Sequence, residues 1–129
     1  MPFVIAADFD DTIFKNAWHS EGEPNPDVID KLKEFKEAGA EIALWTCREG
    51  KKLEEAVRKC KEVGLELDSI NKNTPSTKVM IEQMKKQWND EPFAQSKILA
   101  NFYLDDRAYN IEFFLQVNVE QTCKRYEIQ

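Results

Sequence analysis

Three apolar runs of strand length, residues 3–7 (FVIAA), 41–46 (EIALWT) and 98–104 (ILANFYL), are separated by stretches whose apolar residues recur at helical spacing. Runs of this kind, without alternation of polar and apolar residues, suit parallel strands buried on both faces. Strands joined by helical crossovers give a parallel sheet with right-handed connections. The expected fold is α/β: a Rossmann-like three-layer sandwich with a central parallel sheet, residues 1–129 making one domain. A chain of 129 residues is long enough to bury such a core.

Local signals punctuate the elements. Asn25-Pro26-Asp27 reads as N-cap, first-turn proline and an acid favourable to the helix dipole. Val28, Ile29, Leu32 and Phe35 form the apolar face of that helix, and Gly39 closes it. A second helix is expected over 51–63, with Leu53, Ala56, Val57, Cys60 and Val63 on one face and Gly64 as its stop. Residues 65–70 suit a short strand. A third helix runs from Pro75 to about Trp88, its stripe of Met80, Ile81, Met84 and Trp88 assigned to the core along with Trp45. Residues 15–25 and 89–95 read as polar loops. For 111–119 helix and strand both fit, and the last dozen residues read as helix or tail.

Composition excludes several functions. The net charge is −6 with both signs interspersed, which argues against a nucleic-acid or membrane-surface binder. Cys47, Cys60 and Cys123 show no C-x-x-C spacing, so they read as small buried hydrophobes in a reducing compartment. Asp8, Asp10 and Asp11 interrupt the N-terminal apolar run, which therefore does not read as a signal peptide. No apolar stretch approaches the ~20 residues of a membrane span. The expected location is cytoplasmic.

The chemistry concentrates where apolar runs end. Asp8, Asp10 and Asp11 follow the first, and Asp105-Asp106 follow the last. Crowded carboxylates repel and raise one another's pKa, a cost unless a cation or a reaction uses them. Were the two strands neighbours, their acids would share the crevice above the sheet, an oxygen-rich site suited to Mg²⁺. Arg48, Lys51 and Lys52 lie at the start of the second helix, where cations oppose the dipole. Either an anion is held nearby or these residues form a solvated face.

With those residues in view, a resemblance can be stated. VIAADFDDTIF resembles the first motif of the haloacid dehalogenase superfamily, D-x-D-x-T after a hydrophobic strand. Thr46 resembles the Ser/Thr of the second motif, Lys97 the lysine of the third, and FYLDD the terminal acidic motif. The set is in order over residues 3–110, and WTCREG with the DDR ending looks like the small capless hydrolase-like members. The resemblance implies a Mg²⁺-dependent phosphomonoester hydrolase. Asp8 would be the nucleophile, Asp10 the general acid and base, and Thr46 and Lys97 would hold the phosphoryl oxygens. The metal would be held by Asp8, the Asp10 carbonyl, Asp105 and Asp106, with Asp106 the direct ligand of the pair. Asp11, Thr12, Cys47 and Arg48 would surround a small phosphorylated substrate. Lys78, in a predicted amphipathic helix, is the rival to Lys97.

Only 13 residues separate Thr12 from the first helix, too few for a folded cap. The site should be open, partly covered by residues 13–25, by 71–95 or by another subunit. Two alternatives stand beside the hydrolase: an idle or phosphate-binding member of the same fold, and a phosphoacceptor receiver domain. The receiver requires an acceptor Asp where EIALWT ends in Thr46, and a lysine after the last strand rather than before it.

Overall fold

The computed structural model describes residues 1–88 and 98–127. Strand β1 (Val4–Ala7) is wholly buried, as its unbroken apolar run requires. The hairpin strands β2 (Phe14–Lys15) and β3 (Glu23–Pro24) follow, then helix α1 (Pro26–Glu37) and strand β4 (Glu41–Leu44). Next come helix α2 (Gly50–Glu62), strand β5 (Ser69–Ile70), helix α3 (Pro75–Trp88) and strand β6 (Phe102–Leu104). After a single 3₁₀ turn, Asp106–Ala108, the described chain ends in α4 (Ile111–Gln116) and α5 (Val119–Glu127). Four strands form a parallel sheet in the order β5-β4-β1-β6, with Ile5 level with Ile42 on one side and Phe102 on the other. The fold is the three-layer α/β sandwich.

One face of the sheet carries the main core. Ile5, Ala7, Ile42 and Leu44 pack with Val28, Leu32 and Phe35 of α1, Ala56 and Cys60 of α2, and Phe114 of α4. Phe35 stacks on Phe3 at 5.5 Å and on Phe114 at 5.4 Å, tying both chain ends to α1. The opposite face presents Ala6 and Ala43, covered by Ile98 from the connection between β5 and β6. The chain winds outward from β1 through β4 to β5, then returns to place β6 on the other side of β1. The order therefore reverses between β1 and β6, and the crevice at such a reversal is where open α/β sheets bind ligands.

Several expectations give way. The loop over 15–25 contains the β2–β3 hairpin. Asn25 holds the N-cap position of α1 without capping through its side chain; its backbone N–H donates to the Ile13 carbonyl at 2.8 Å. Only Phe102–Leu104 of the 98–104 run is strand. Asn101 instead brackets Val4, its N–H donating to the Val4 carbonyl and its Oδ1 accepting from the Val4 N–H, both at 2.8 Å. The 65–70 strand shrinks to Ser69–Ile70, and the tail resolves into two helices. Met80, Ile81 and Met84 are half-buried and lie outside both core clusters, because the alanine-lined face beneath is already filled by Ile98. Trp45 is 39% exposed, edge-on to Tyr103, and Cys47 is exposed. These two follow the last residue of β4, where the sheet no longer covers them.

Candidate active site

The ladder between β1 and β6 runs one bond past the strand end: the Asp8 N–H donates to the Leu104 carbonyl at 3.0 Å. Asp8 is thereby set beside Asp105 and Asp106, and each of the three offers a carboxylate oxygen within 4.8 Å of the others. Beyond Asp8 the chain turns tightly. The Phe9 carbonyl accepts from the N–H groups of Thr12, Ile13 and Phe14, and Asp11 takes a left-handed conformation at φ +59°. The turn sinks Phe9, Ile13 and Phe14 into the core and leaves Asp8, Asp10 and Asp11 at the crevice. Thr12 is fully buried, and its Oγ1 accepts from the Asp106 N–H at 3.1 Å. The threonine thus fastens one acidic strand end to the other.

Asp10 is held differently. Arg48 Nε donates to Asp10 Oδ2 at 2.9 Å and Nη2 to Oδ1 at 2.7 Å, a bidentate pair. The Arg48 side chain is fully buried, with Nη1 donating to the Lys52 carbonyl and the guanidinium 4.7 Å from the Phe9 ring and 5.2 Å from that of Trp18. Asp10, on which this pair centres, raises the Arg48 pKa through its hydrogen bonds despite the opposing cost of burial. Thr46 completes the link: its Oγ1 accepts from the Arg48 N–H at 3.2 Å, and its own N–H donates to Asn71 Oδ1 at 2.8 Å. The hydroxyl keeps its proton for donation into the crevice.

These groups bound a cavity of about 480 Å³. Asp8, Asp10, Asp11, Asp105 and Asp106 supply its acidic wall, with Thr46 and Cys47 on the β4 side. Trp18 and Arg107 complete the lining. Trp18 comes from the β2–β3 hairpin, which two lysines of α2 dock. Lys52 Nζ donates to the Trp18 carbonyl and lies 4.6 Å from its ring, while the buried Lys59 donates to the Glu21 carbonyl.

The electrostatics follow from this crowding. Burial, with the charges of Asp105, Asp106 and Asp10, raises the Asp8 pKa from 3.8 to about 7, against the lowering effect of the Phe9 N–H. Asp106 is raised as well, first by burial and then by its hydrogen bond and repulsion with Asp105. A cation would relieve both. The three carboxylates fit a hard, oxygen-seeking ion: metal–oxygen bonds of ~2.1 Å put octahedral ligand oxygens about 3–4 Å apart, a small adjustment from the observed spacing.

Of the residues named from sequence, Asp8, Asp10, Asp11, Thr46, Cys47, Asp105 and Asp106 meet at one cavity. Thr12 and Arg48 stand behind it, buried, the one supporting Asp106 and the other Asp10. Lys97 lies outside the described residues. Lys78 is exposed on α3 and does not line the cavity. Lys51 is exposed, whereas Arg48 is buried and pairs with Asp10, and the half-buried Lys52 donates to the Trp18 carbonyl. Sequence reasoning missed Trp18. Its one signal is a large aromatic alone in a polar loop soon after the acidic cluster.

Among the described helices none is long and apolar enough to cross a membrane. No protein-family model and no curated protein matches the chain. A solved structure does: a conserved protein from Bacteroides thetaiotaomicron, 32% identical, with a TM-score of 0.64 over 83% of this chain and 78% of that one. At that identity and coverage, the chain belongs to the same family as this conserved protein.

Proposed function

We propose that the protein is a Mg²⁺-dependent phosphomonoester hydrolase working through an aspartyl-phosphate on Asp8. One observation carries the reading: Asp8 meets Asp105 and Asp106 at the carboxyl ends of β1 and β6, at the point where strand order reverses. The order of its acidic and hydroxyl positions also resembles the haloacid dehalogenase superfamily.

Asp8, Asp105 and Asp106 would hold the ion, and a bound Mg²⁺ supplies positive charge to the carboxylates and to the incoming phosphoryl group. Asp8 attacks phosphorus; the bond to the leaving oxygen breaks, and that oxygen takes a proton from Asp10. Asp10 then removes a proton from water, which attacks the same phosphorus and frees phosphate and the Asp8 carboxylate. Both Asp10 oxygens accept from Arg48, so the transferred proton is carried on a lone pair that the guanidinium leaves free. The Thr46 hydroxyl donates to a phosphoryl oxygen as charge builds.

Release of phosphate from p-nitrophenyl phosphate with millimolar Mg²⁺ tests the reading. Wild type should turn over, Asp8→Asn should not, and Asp10→Asn should accumulate a phosphate adduct on Asp8 visible by rapid-quench mass spectrometry. Turnover of Asp8→Asn near the wild-type rate would remove Asp8 from the chemistry and sink the proposal.

A further inference from the structure

Trp18 is the large aromatic among the residues lining the acidic cavity, and it is 44% exposed there. Among the described residues the rest of the lining is carboxylate, hydroxyl, thiol and guanidinium, so Trp18 is the apolar surface they offer a ligand. The ring does not dangle. Lys52 holds the residue at both its carbonyl and its ring face, and Arg48 lies 5.2 Å from the same ring. The hairpin carrying it is docked again through Lys59, which also lies 5.7 Å from the Phe14 ring. A fixed, half-exposed indole at a polar cavity is an apolar contact surface set before a ligand arrives, and so costs little ordering on binding.

We infer that Trp18 is the specificity-determining residue of the cavity and selects phosphate compounds bearing a flat, uncharged aromatic group, which packs against the exposed part of the indole. The inference rests on the phosphate chemistry proposed above and names its substrate class. Charge supports the choice: five aspartates line the cavity, so a leaving group carrying a carboxylate or further phosphate meets repulsion that a neutral ring escapes. The volume of about 480 Å³ lies within the range of small-molecule sites and accommodates a ring beside a phosphoryl group.

The test uses phosphonates, whose carbon–phosphorus bond this chemistry does not cleave, so binding is read apart from turnover. Calorimetric titration of wild type with phenylphosphonate and methylphosphonate at millimolar Mg²⁺ should show the phenyl compound binding about tenfold more tightly. Trp18→Ala should bring the two within about twofold, chiefly by weakening phenylphosphonate, while Trp18→Phe should keep most of the preference. A preference found in a protein that hydrolyses no phosphate ester would leave this inference standing and overturn the hydrolase. Equal affinities in wild type, no binding of phenylphosphonate, or equal weakening of both ligands in Trp18→Ala would overturn the inference.

Discussion

The pair between Asp10 and Arg48 should dominate the energetics of this end of the molecule, and a double-mutant cycle measures it. Arg48→Met removes both charge-assisted bonds and leaves a flexible apolar chain between Phe9 and Trp18. Breaking a buried pair costs about 3–5 kcal/mol when a charge is stranded. Here the stranded group is Asp10, whose side chain is 27% exposed and can take up water, so the low end, about 3 kcal/mol, is expected. Asp10→Asn strands the guanidinium, which is fully buried but keeps a neutral acceptor, and about 2–3 kcal/mol is expected.

The double variant should cost about 3 kcal/mol, well short of the sum, because its second substitution finds the pair already broken. Unfolding entropy near ~2.1 cal/mol/K per residue converts that loss to a melting-point drop of about 11 °C for a chain of this length. Urea unfolding of the four proteins in EDTA gives the coupling directly, since EDTA removes any contribution from bound metal. Strict additivity, or a cost for Arg48→Met below about 1 kcal/mol, would show that the bidentate geometry contributes little and that Arg48 does not hold Asp10.

Metal-free protein should lose stability as pH rises. The folded-state pKa of Asp8, about 7, exceeds its ordinary 3.8, so the penalty is absent below pH ~4, grows to pH ~7 and is constant above. At about 1.4 kcal/mol per unit its ceiling is about 4 kcal/mol, less what solvent at the cavity mouth screens, and Asp8→Asn should flatten this dependence in pH-resolved denaturation. Mg²⁺ at about a hundred times its dissociation constant should add about 2.7 kcal/mol to wild type, and thermal melts should show most of that gain gone in Asp106→Ala. Thr12→Val should cost about 1–2 kcal/mol by orphaning the Asp106 N–H, and should weaken the Mg²⁺-dependent shift as well. Lys97→Met should lower kcat for p-nitrophenyl phosphate at least a hundredfold if the lysine stabilises transferred charge, whereas Lys78→Met, on an exposed helix position away from the cavity, should leave it unchanged.

How much was legible depends on whether a signal is local. β1 is readable because burial on both faces leaves nothing polar in Val4–Ala7, and α1 because its proline, acid and apolar spacing agree. The acidic ends of β1 and β6 are readable because crowded carboxylates are chemically expensive wherever they lie. What sequence lacks is a third-dimension partner. Trp18 and Trp45 look alike as letters, yet one lines the cavity from a docked hairpin and the other stands over the sheet edge against Tyr103. The Met stripe of α3 has the spacing of a core face, but the middle of the sheet on that side presents the small Ala6 and Ala43, already covered by Ile98.

The cations at the start of α2 show the same limit from the other side. Their charge is wrong for a helix N-terminus, and the rule that this implies a nearby anion is sound. The anion is Asp10, 38 residues earlier in the chain, rather than a substrate. Arg48 and Lys52 instead join three parts of the site: the acid turn after β1, the hydroxyl that follows β4, and the hairpin bearing Trp18. Because the same guanidinium orients Asp10 and lies against Trp18, a change at the aromatic should be felt at the acid. Trp18→Ala should therefore loosen the Asp10 pair and lower kcat modestly for every ester, while its effect on KM should fall on aromatic esters alone. A uniform rise in KM with kcat unchanged would mean that the hairpin and the acid act independently.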